Sequence, residues 1–182
     1  LPFSLAKAYH LMAKYTLWAM VETPEVKTIL IQGDSFHSAG GNAVQELAFT
    51  LASAVEYIRE MQERGLTVPE MTKRMAFSFS IGSNVFMEIA KLRAGRLLWS
   101  KIIAAFGGSE EDQKMFIHAR TSSWSKTAYD PYVNMLRGTA EAFAAVVGGV
   151  DSLHVSPFDE PLRTPDEFSR RKIGRASCRE RV

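Results

Sequence analysis

The chain has 182 residues, of which 46% are hydrophobic and 23% are charged, a balance typical of a globular protein. It carries 22 basic and 20 acidic residues, and the formal net charge of +2 is too small to indicate nucleic acid or an anionic membrane as a partner. No stretch approaches the roughly 18 uninterrupted apolar residues that a membrane-spanning helix needs. We therefore expect neither nucleic acid nor a membrane among the partners.

The two ends of the chain lead us to expect a piece of a larger α/β enzyme fold, cut at both ends. The opening residues, which begin with Leu1, show neither the basic start nor the apolar core of a signal peptide. Residues 173–182 lack apolar periodicity and look like the translation of a sequencing adapter; a basic disordered tail is the alternative. On the adapter interpretation, residues 1–172 form the protein's own part. This part has no cysteine, since Cys178 is the only one, so it holds no disulfide and no cysteine metal site.

The first part of the chain contains two predicted helices and one predicted strand. Helical periodicity covers residues 4–20, and a short β-rich run follows at residues 28–31. A second helix is predicted from Asn42, because Gln45 stands three residues after this N-cap, as a capping box requires. Gly65 is placed to end that helix in a left-handed cap.

The rest of the chain repeats the alternation of strand and helix. A strand at residues 75–81 precedes a long helix that Asn84 begins and Gly107 ends, with Phe86 and Leu92 among the apolar residues assigned to its buried side. The remaining predicted elements are a strand at 115–119, a helix at 133–147, a strand at 152–155 and a helix after Pro165.

Four strands, each followed by a helix, predict a parallel sheet with crossover helices. Such a sheet is either covered on both faces or closed into a barrel. Four strands are half of a (β/α)₈ barrel of the TIM type, and a four-stranded doubly wound domain is the alternative. The alternation alone does not separate these two architectures.

Polar side chains follow the predicted strands, where parallel α/β folds place their catalytic groups. Arg120 comes directly after the third strand, and a guanidinium at such a place usually meets an anion or a carbonyl. Asp34 and Ser35 follow the first strand, where a simple turn and cap would also explain them. Asp159-Glu160 could equally be a solvated turn. Three of the four histidines lie at or near strand ends: His37, His118 and His154. His118 and His154, which lie on predicted strands, could be core residues.

Several familiar site motifs are absent from the sequence. There is no GxGxxG, no P-loop and no GxSxG, and no cluster of His, Asp and Glu has metal-ligand spacing. Residues 38–41, SAGG, precede a predicted helix and could cradle a phosphate, but glycine pairs before helices are common. General motifs therefore assign no chemistry to the chain.

Three longer strings resemble segments of the methylmalonyl-CoA mutase family. They are residues 39–49, AGGNAVQELAF; residues 88–99, EIAKLRAGRLLW; and residues 148–154, GGVDSLH, continuing to Asp159-Glu160. The strings occur in the family's order, and the similarity runs from about Leu5 to Arg171. The resemblance implies that residues 1–172 are the later half of the family's substrate-binding (β/α)₈ barrel, with four of its eight strands.

The resemblance also implies an activity and its partners. Members of the family isomerise methylmalonyl-CoA and succinyl-CoA with adenosylcobalamin, and the barrel threads the CoA tail along its axis. The expected ligands of the complete enzyme are thus an acyl-CoA and adenosylcobalamin, and the expected location is the cytoplasm. By resemblance, Arg74, His118 and Arg120 are expected to contact substrate or CoA, and Glu160 the adenosyl or cobalamin side.

The sequence departs from the family pattern at the residue that matters most for catalysis. Ser35 occupies the position of the histidine that is placed to donate a hydrogen bond to the thioester carbonyl. Arg120 replaces a glutamine, and Ala76 replaces a serine, whereas Arg74, His118, His154 and Glu160 match. This pattern resembles the small, non-catalytic subunit that pairs with and stabilises the large catalytic subunit of heterodimeric mutases. The alternative is a catalytic mutase with altered substrate, whose remodelled pocket would include Asp34, Arg120 and Tyr129.

Overall fold

The computed structural model describes residues 4–176 and shows an α/β fold around one four-stranded sheet. The strands are β1 (Ile29–Gln32), β2 (Met75–Ile81), β3 (Ile117–Thr121) and β4 (Ser152–His154). The helices are α1 (Leu5–Glu22), α2 (Asp34–Ser38), α3 (Ala43–Gln62), α4 (Val68–Thr72), α5 (Val85–Ala105), α6 (Val133–Gly148) and α7 (Glu167–Ala176). No helix within residues 4–176 is long and apolar enough to cross a membrane.

The strands lie in the order β1-β2-β3-β4, and every neighbouring pair is parallel. Each strand is followed by at least one helix before the next strand begins. The predicted parallel α/β sheet is therefore confirmed. Because all four strands run the same way, their carboxyl ends meet at one edge of the sheet and their amino ends at the other.

Local signals in the sequence explain where the long helices begin and end. Asn42 Oδ1 accepts the Gln45 N–H at 2.9 Å, and the Gln45 side chain accepts the Asn42 N–H at 3.1 Å, which confirms the capping box. Asn84 caps α5 through the Met87 N–H. Gly65, at φ 90°, makes the left-handed turn after α3, a conformation that favours glycine.

The core lies between the sheet and the helices α3 and α5. Strand β2 is central and buried along its whole length, and its Phe77 ring meets the Trp99 ring of α5 edge-on at 4.7 Å between centroids. Phe86 was predicted to face this core and is instead 85% exposed. The buried face of α5 passes through Glu88, Lys91 and Leu92, and Phe86 stands about 200° around the helix from Glu88.

The structure adds two short helices to the predicted elements. Helix α2 has only five residues and begins directly after β1, so it has no apolar period to detect. Helix α4 does carry a start signal, because Thr67 donates its N–H to the Glu70 carboxylate at 2.7 Å.

Several other boundaries lie one or two residues from the predicted ones. Strand β3 begins at Ile117 and ends at Thr121, two residues later than predicted at each end. At the end of the chain, residues 173–176 belong to α7, whereas residues 177–182 of the predicted adapter tail, including Cys178, lie outside the described residues.

Candidate functional site

The carboxyl edge of the sheet brings Arg120 and Glu160 together. Arg120, at the end of β3, donates from Nη2 to Glu160 Oε1 at 3.1 Å. Lys126 donates to the other carboxylate oxygen, Oε2, at 2.8 Å, and its side chain is almost fully buried. The result is a carboxylate held between two cations, with about half of the Arg120 side chain open to solvent.

Two histidines lie beside this ion-paired group. His154 is the register partner of Arg120 across β3 and β4, and burial, followed by the Arg120 charge, lowers the pKa of its imidazole. His118 Nδ1 is 2.7 Å from Ser152 Oγ, so part of its hydrogen-bonding capacity is already used inside the sheet. Burial acts to raise the pKa of Glu160, but the hydrogen bond and charge of Lys126 outweigh it, and the net shift is downward.

Ser35 lies on α2, at the end of β1, and its side chain is exposed. Residues 34–38, after the first strand, form a helical turn, which directs His37 back toward the sheet. His37 Nε2 is 2.7 Å from Ser122 Oγ, and Nδ1 is 3.8 Å from the Glu46 carboxylate. Burial lowers the pKa of His37, and the nearby Lys91 ammonium acts in the same direction. His37 is therefore a neutral, engaged imidazole at neutral pH.

A buried charged network under α2 was missed by the sequence prediction. Glu46 on α3 is fully buried and pairs with Lys91 Nζ at 2.7 Å, and Lys91 also lies 2.5 Å from Glu88 on the same helix. Burial raises the pKa of Glu46 against the lowering effect of Lys91. All three residues belong to the strings that resemble the mutase family, but nothing in those strings shows that their side chains are buried together.

A second buried carboxyl group lies on α6. Glu141 is fully buried, accepts a short hydrogen bond from the Ser125 hydroxyl, and has a second oxygen without a hydrogen-bond partner among the described residues. Burial raises the pKa of Glu141 to about 7, despite the opposing hydrogen bond from Ser125. The α6 side of the site therefore holds a carboxyl that is half protonated near neutral pH.

Arg74 lies at the opposite, amino edge of the sheet, immediately before β2. Its buried guanidinium donates from Nη1 to the backbone carbonyls of Thr23 at 3.1 Å and Val26 at 3.0 Å, and also to that of Pro24. These contacts tie the α1–β1 connection to β2. The structure thus brings Arg120 together with Glu160 and places Arg74 apart from them.

The residues of the alternative remodelled pocket do not form one cluster. Tyr129 is fully exposed, and Asp34 has a buried carboxylate oxygen without a hydrogen-bond partner among the described residues. Trp124 connects the β3–α6 loop to α2 instead, because its Nε1 donates to the Ser38 carbonyl at 3.0 Å. Within the described part of the chain, no group of three His, Cys, Asp or Glu side chains could hold a metal ion.

Comparison with known proteins gives the chain a family. The sequence model of the family described as methylmalonyl-CoA mutase matches residues 1–177. The methylmalonyl-CoA mutase of Escherichia coli K12 is 42% identical over 162 residues, which cover 88% of this chain and 23% of that protein.

Two further relatives give the same result. The Rhizobium meliloti mutase is 45% identical over 82% of this chain and 21% of its own length, and the mitochondrial mutase of Homo sapiens is 43% identical over 81% and 20%. The chain thus spans between 20% and 23% of these three relatives. The sequence strings, the parallel α/β sheet and these matches agree, and the chain belongs to the methylmalonyl-CoA mutase family.

Proposed function

We propose that this chain is part of the small, non-catalytic subunit of a methylmalonyl-CoA mutase, which stabilises a large catalytic subunit. The complete enzyme would isomerise methylmalonyl-CoA and succinyl-CoA with adenosylcobalamin. The observation that carries the proposal is Ser35, an exposed hydroxyl at the position of the family's catalytic histidine. A serine hydroxyl is shorter than an imidazole, so it cannot reach the thioester oxygen from the same backbone position. His37 does not compensate, because it is turned inward to Ser122.

We further propose that residues 1–172 form four consecutive strands and their helices of the family's (β/α)₈ barrel. The strand order β1-β2-β3-β4 supports this, because it never reverses. Doubly wound domains reverse their strand order at a switch point, whereas a barrel adds each new strand on the same side. A continuous run of four neighbours is what an arc of a barrel contains.

The positions of the proposed binding residues suit a long ligand. Arg74 is at the amino edge of the sheet, and Arg120 and Glu160 are at the carboxyl edge. A seven-residue strand such as β2 separates the two edges by about 20 Å. An acyl-CoA that lies along the barrel axis would extend between them, with its CoA tail toward Arg74 and its acyl end toward His118 and Arg120.

The carboxyl edge has one residue that fits the adenosyl group of adenosylcobalamin. Glu160 keeps about a third of its side chain exposed, so its carboxylate can accept hydrogen bonds from ribose hydroxyls while Lys126 holds it in place. When bound, the cofactor supplies the carbon-centred radical that starts the rearrangement. This contact belongs to a catalytic chain; in a non-catalytic subunit Glu160 would serve to pair Arg120 and Lys126, and the large subunit would hold the cofactor.

A second candidate is a catalytic mutase with a remodelled pocket and an altered acyl-CoA substrate. The observation that favours it is Arg120, which replaces a glutamine and keeps about half of its side chain exposed at the carboxyl edge. A guanidinium at this place would add a positive charge to an acyl pocket and select a different acyl group. Among the described residues no hydrogen bond or ion pair joins Asp34 or Tyr129 to Arg120, which weighs against one shared pocket.

Mixing the complete protein with a large mutase subunit tests the proposed role. We expect a stable one-to-one complex in size-exclusion chromatography and a higher melting temperature for the large subunit in the complex. Absence of a complex at micromolar concentrations would reject the subunit role. Turnover by the complete protein alone would favour the second candidate.

A further inference from the structure

The buried Glu46–Lys91 pair completes a gap in the sheet that the early end of β1 creates. Strand β2 bonds to β3 through residues such as Phe77, whose N–H donates to the Phe116 carbonyl. The even-numbered residues of β2 face β1, and the last of these contacts is the Gly33 N–H to the Ser78 carbonyl at 2.8 Å. After Gly33 the chain turns into α2, so Ser80 has no strand partner on that side.

Ser80 is buried, and its backbone groups are satisfied by two charged side chains. Glu46 Oε1 accepts the Ser80 N–H at 2.8 Å, and Lys91 Nζ donates to the Ser80 carbonyl at 2.6 Å. Lys91 Nζ also donates to Glu46 Oε2 at 2.7 Å, which closes the arrangement. An acceptor and a donor from a neighbouring strand would fill the same two places. The ion pair therefore replaces the two hydrogen bonds that a continued β1 would make to Ser80.

This replacement is what lets α2 occupy the end of β1. If β1 continued beside Ser80, residues 34–38 would be extended, and Ser35 and His37 would lie elsewhere. The turn is also tight, because a Cβ on Gly33 would lie 2.5 Å from Thr50 Oγ1 and 2.7 Å from the Ser78 carbonyl oxygen. His37 then sits on the pair, with Nδ1 3.8 Å from the Glu46 carboxylate.

We propose that Glu46 and Lys91 are positioning residues that hold α2, and with it Ser35 and His37, at the carboxyl edge of the sheet. The proposal rests on the proposed function only for its consequence, since α2 carries the position of the family's catalytic histidine. The hydrogen bonds to Ser80 matter here, rather than the charge of the surrounding network. A variant that removes a charge from the network but keeps both hydrogen bonds should hold α2, and an apolar pair of similar volume should not.

Hydrogen–deuterium exchange of the complete protein tests this with one double and one single variant. In Glu46→Leu/Lys91→Met the pair is apolar, and we expect amides 33–41 and the Ser80 amide to exchange about tenfold faster or more. Glu88→Gln removes the second carboxylate beside Lys91 but leaves both hydrogen bonds to Ser80, and we expect exchange close to that of the unmodified protein. Amides of α6 should be unaffected in both. The matched control is Glu111→Gln/Lys114→Gln, an exposed pair 2.5 Å apart.

A spectroscopic readout separates positioning from general stability. The imidazole resonances of His37 should move in Glu46→Leu/Lys91→Met and change little in Glu88→Gln, while those of His154 stay in place in both. Unchanged exchange and an unchanged His37 signal in the double variant would overturn the proposal, as would uniform acceleration across the chain. If the double variant does not fold, Glu88→Gln decides, and loss of α2 protection there would also overturn it. Neither readout needs mutase turnover, so the proposed function can fail independently.

Discussion

At the scale of single residues, the described part of the chain has three buried glutamates near one end of its sheet. Glu46 and Glu88 share Lys91, and Glu141 has only the Ser125 hydroxyl. A buried charge without a partner is costly, and a carboxyl escapes this cost by taking up a proton. Glu141 therefore titrates near neutrality, with a pKa of about 7.

Replacing Glu141 with glutamine should stabilise the protein at high pH only. Its pKa of about 7 in the folded chain lies above the ordinary 4.5, so the folded state binds the proton more tightly than the unfolded state. The free energy of unfolding of the protein therefore falls as pH rises from 4.5 through 7, by up to about 3 kcal/mol, because Glu141 must ionise inside the fold. Urea unfolding at pH 5 should give similar values for Glu141→Gln and the unmodified protein, and at pH 8.5 the variant should be more stable. Equal stability at both pH values would contradict the buried carboxyl, with exposed Glu111→Gln as the control.

Replacing Glu160 with glutamine should destabilise the carboxyl edge. Lys126 is 1% exposed and would lose its carboxylate, which leaves a buried ammonium without an opposite charge. We expect a loss of about 2 kcal/mol in the free energy of unfolding, measured by urea titration at pH 7. The exposed carboxylate of Glu167, paired with Arg171, gives the matched control, and Glu167→Gln should change stability by less than about 0.5 kcal/mol. A neutral effect of Glu160→Gln would show that Lys126 does not depend on it.

At the scale of elements, the end of each strand decides what the edge of the sheet presents. Strand β1 ends at Gln32, which pairs with Ser78, whereas β2 continues for three more residues to Ile81. Helix α2 fills the space beside these three residues. The sequence predicted the long helices and all four strands because periodicity and caps are local. It did not predict α2, or the use of Glu46 and Lys91, because the need for them arises only where two strands of unequal length lie side by side.

A pair of glycine substitutions tests the packing at these element ends. Gly33→Ala places a Cβ 2.5 Å from Thr50 Oγ1, so we expect a loss of about 2 kcal/mol in stability. Gly138 lies inside α6 with open space around its missing Cβ, so Gly138→Ala should gain about 0.5 kcal/mol by raising helix propensity. Thermal unfolding of both variants under one condition gives the comparison. A stabilising Gly33→Ala would contradict the tight turn.

At the scale of the whole molecule, several large apolar side chains of the described residues are exposed on the outer faces of α1 and α6. On α1, Leu11, Tyr15 and Trp18 follow one another along the outer face of the helix, and each of the three residues is about half exposed. On α6, Phe143 and Val146 are more exposed still. Surfaces of this kind usually contact other protein. The family assignment could be made from three sequence strings, whereas these surfaces became visible only once the buried faces of the helices were known.

The 182-residue chain expressed alone should therefore self-associate. We expect light scattering to give a mass above that of one chain, and Leu11→Glu/Trp18→Glu to lower it, because two charges interrupt the α1 surface. Leu162→Glu, at an exposed leucine outside the helices, is the control and should leave the mass unchanged. A monomeric unmodified chain would show that these faces need no partner.

In the proposed function, Ser35 stands at the position of the family's catalytic histidine and is the reason why the protein would not catalyse the rearrangement itself. Mutase turnover is the most direct measurement, with the complete protein, adenosylcobalamin and methylmalonyl-CoA, in the absence and presence of a large catalytic subunit. We predict no succinyl-CoA from the complete protein alone, and turnover that depends entirely on the large subunit when both are present. Formation of succinyl-CoA by the complete protein alone would contradict the account.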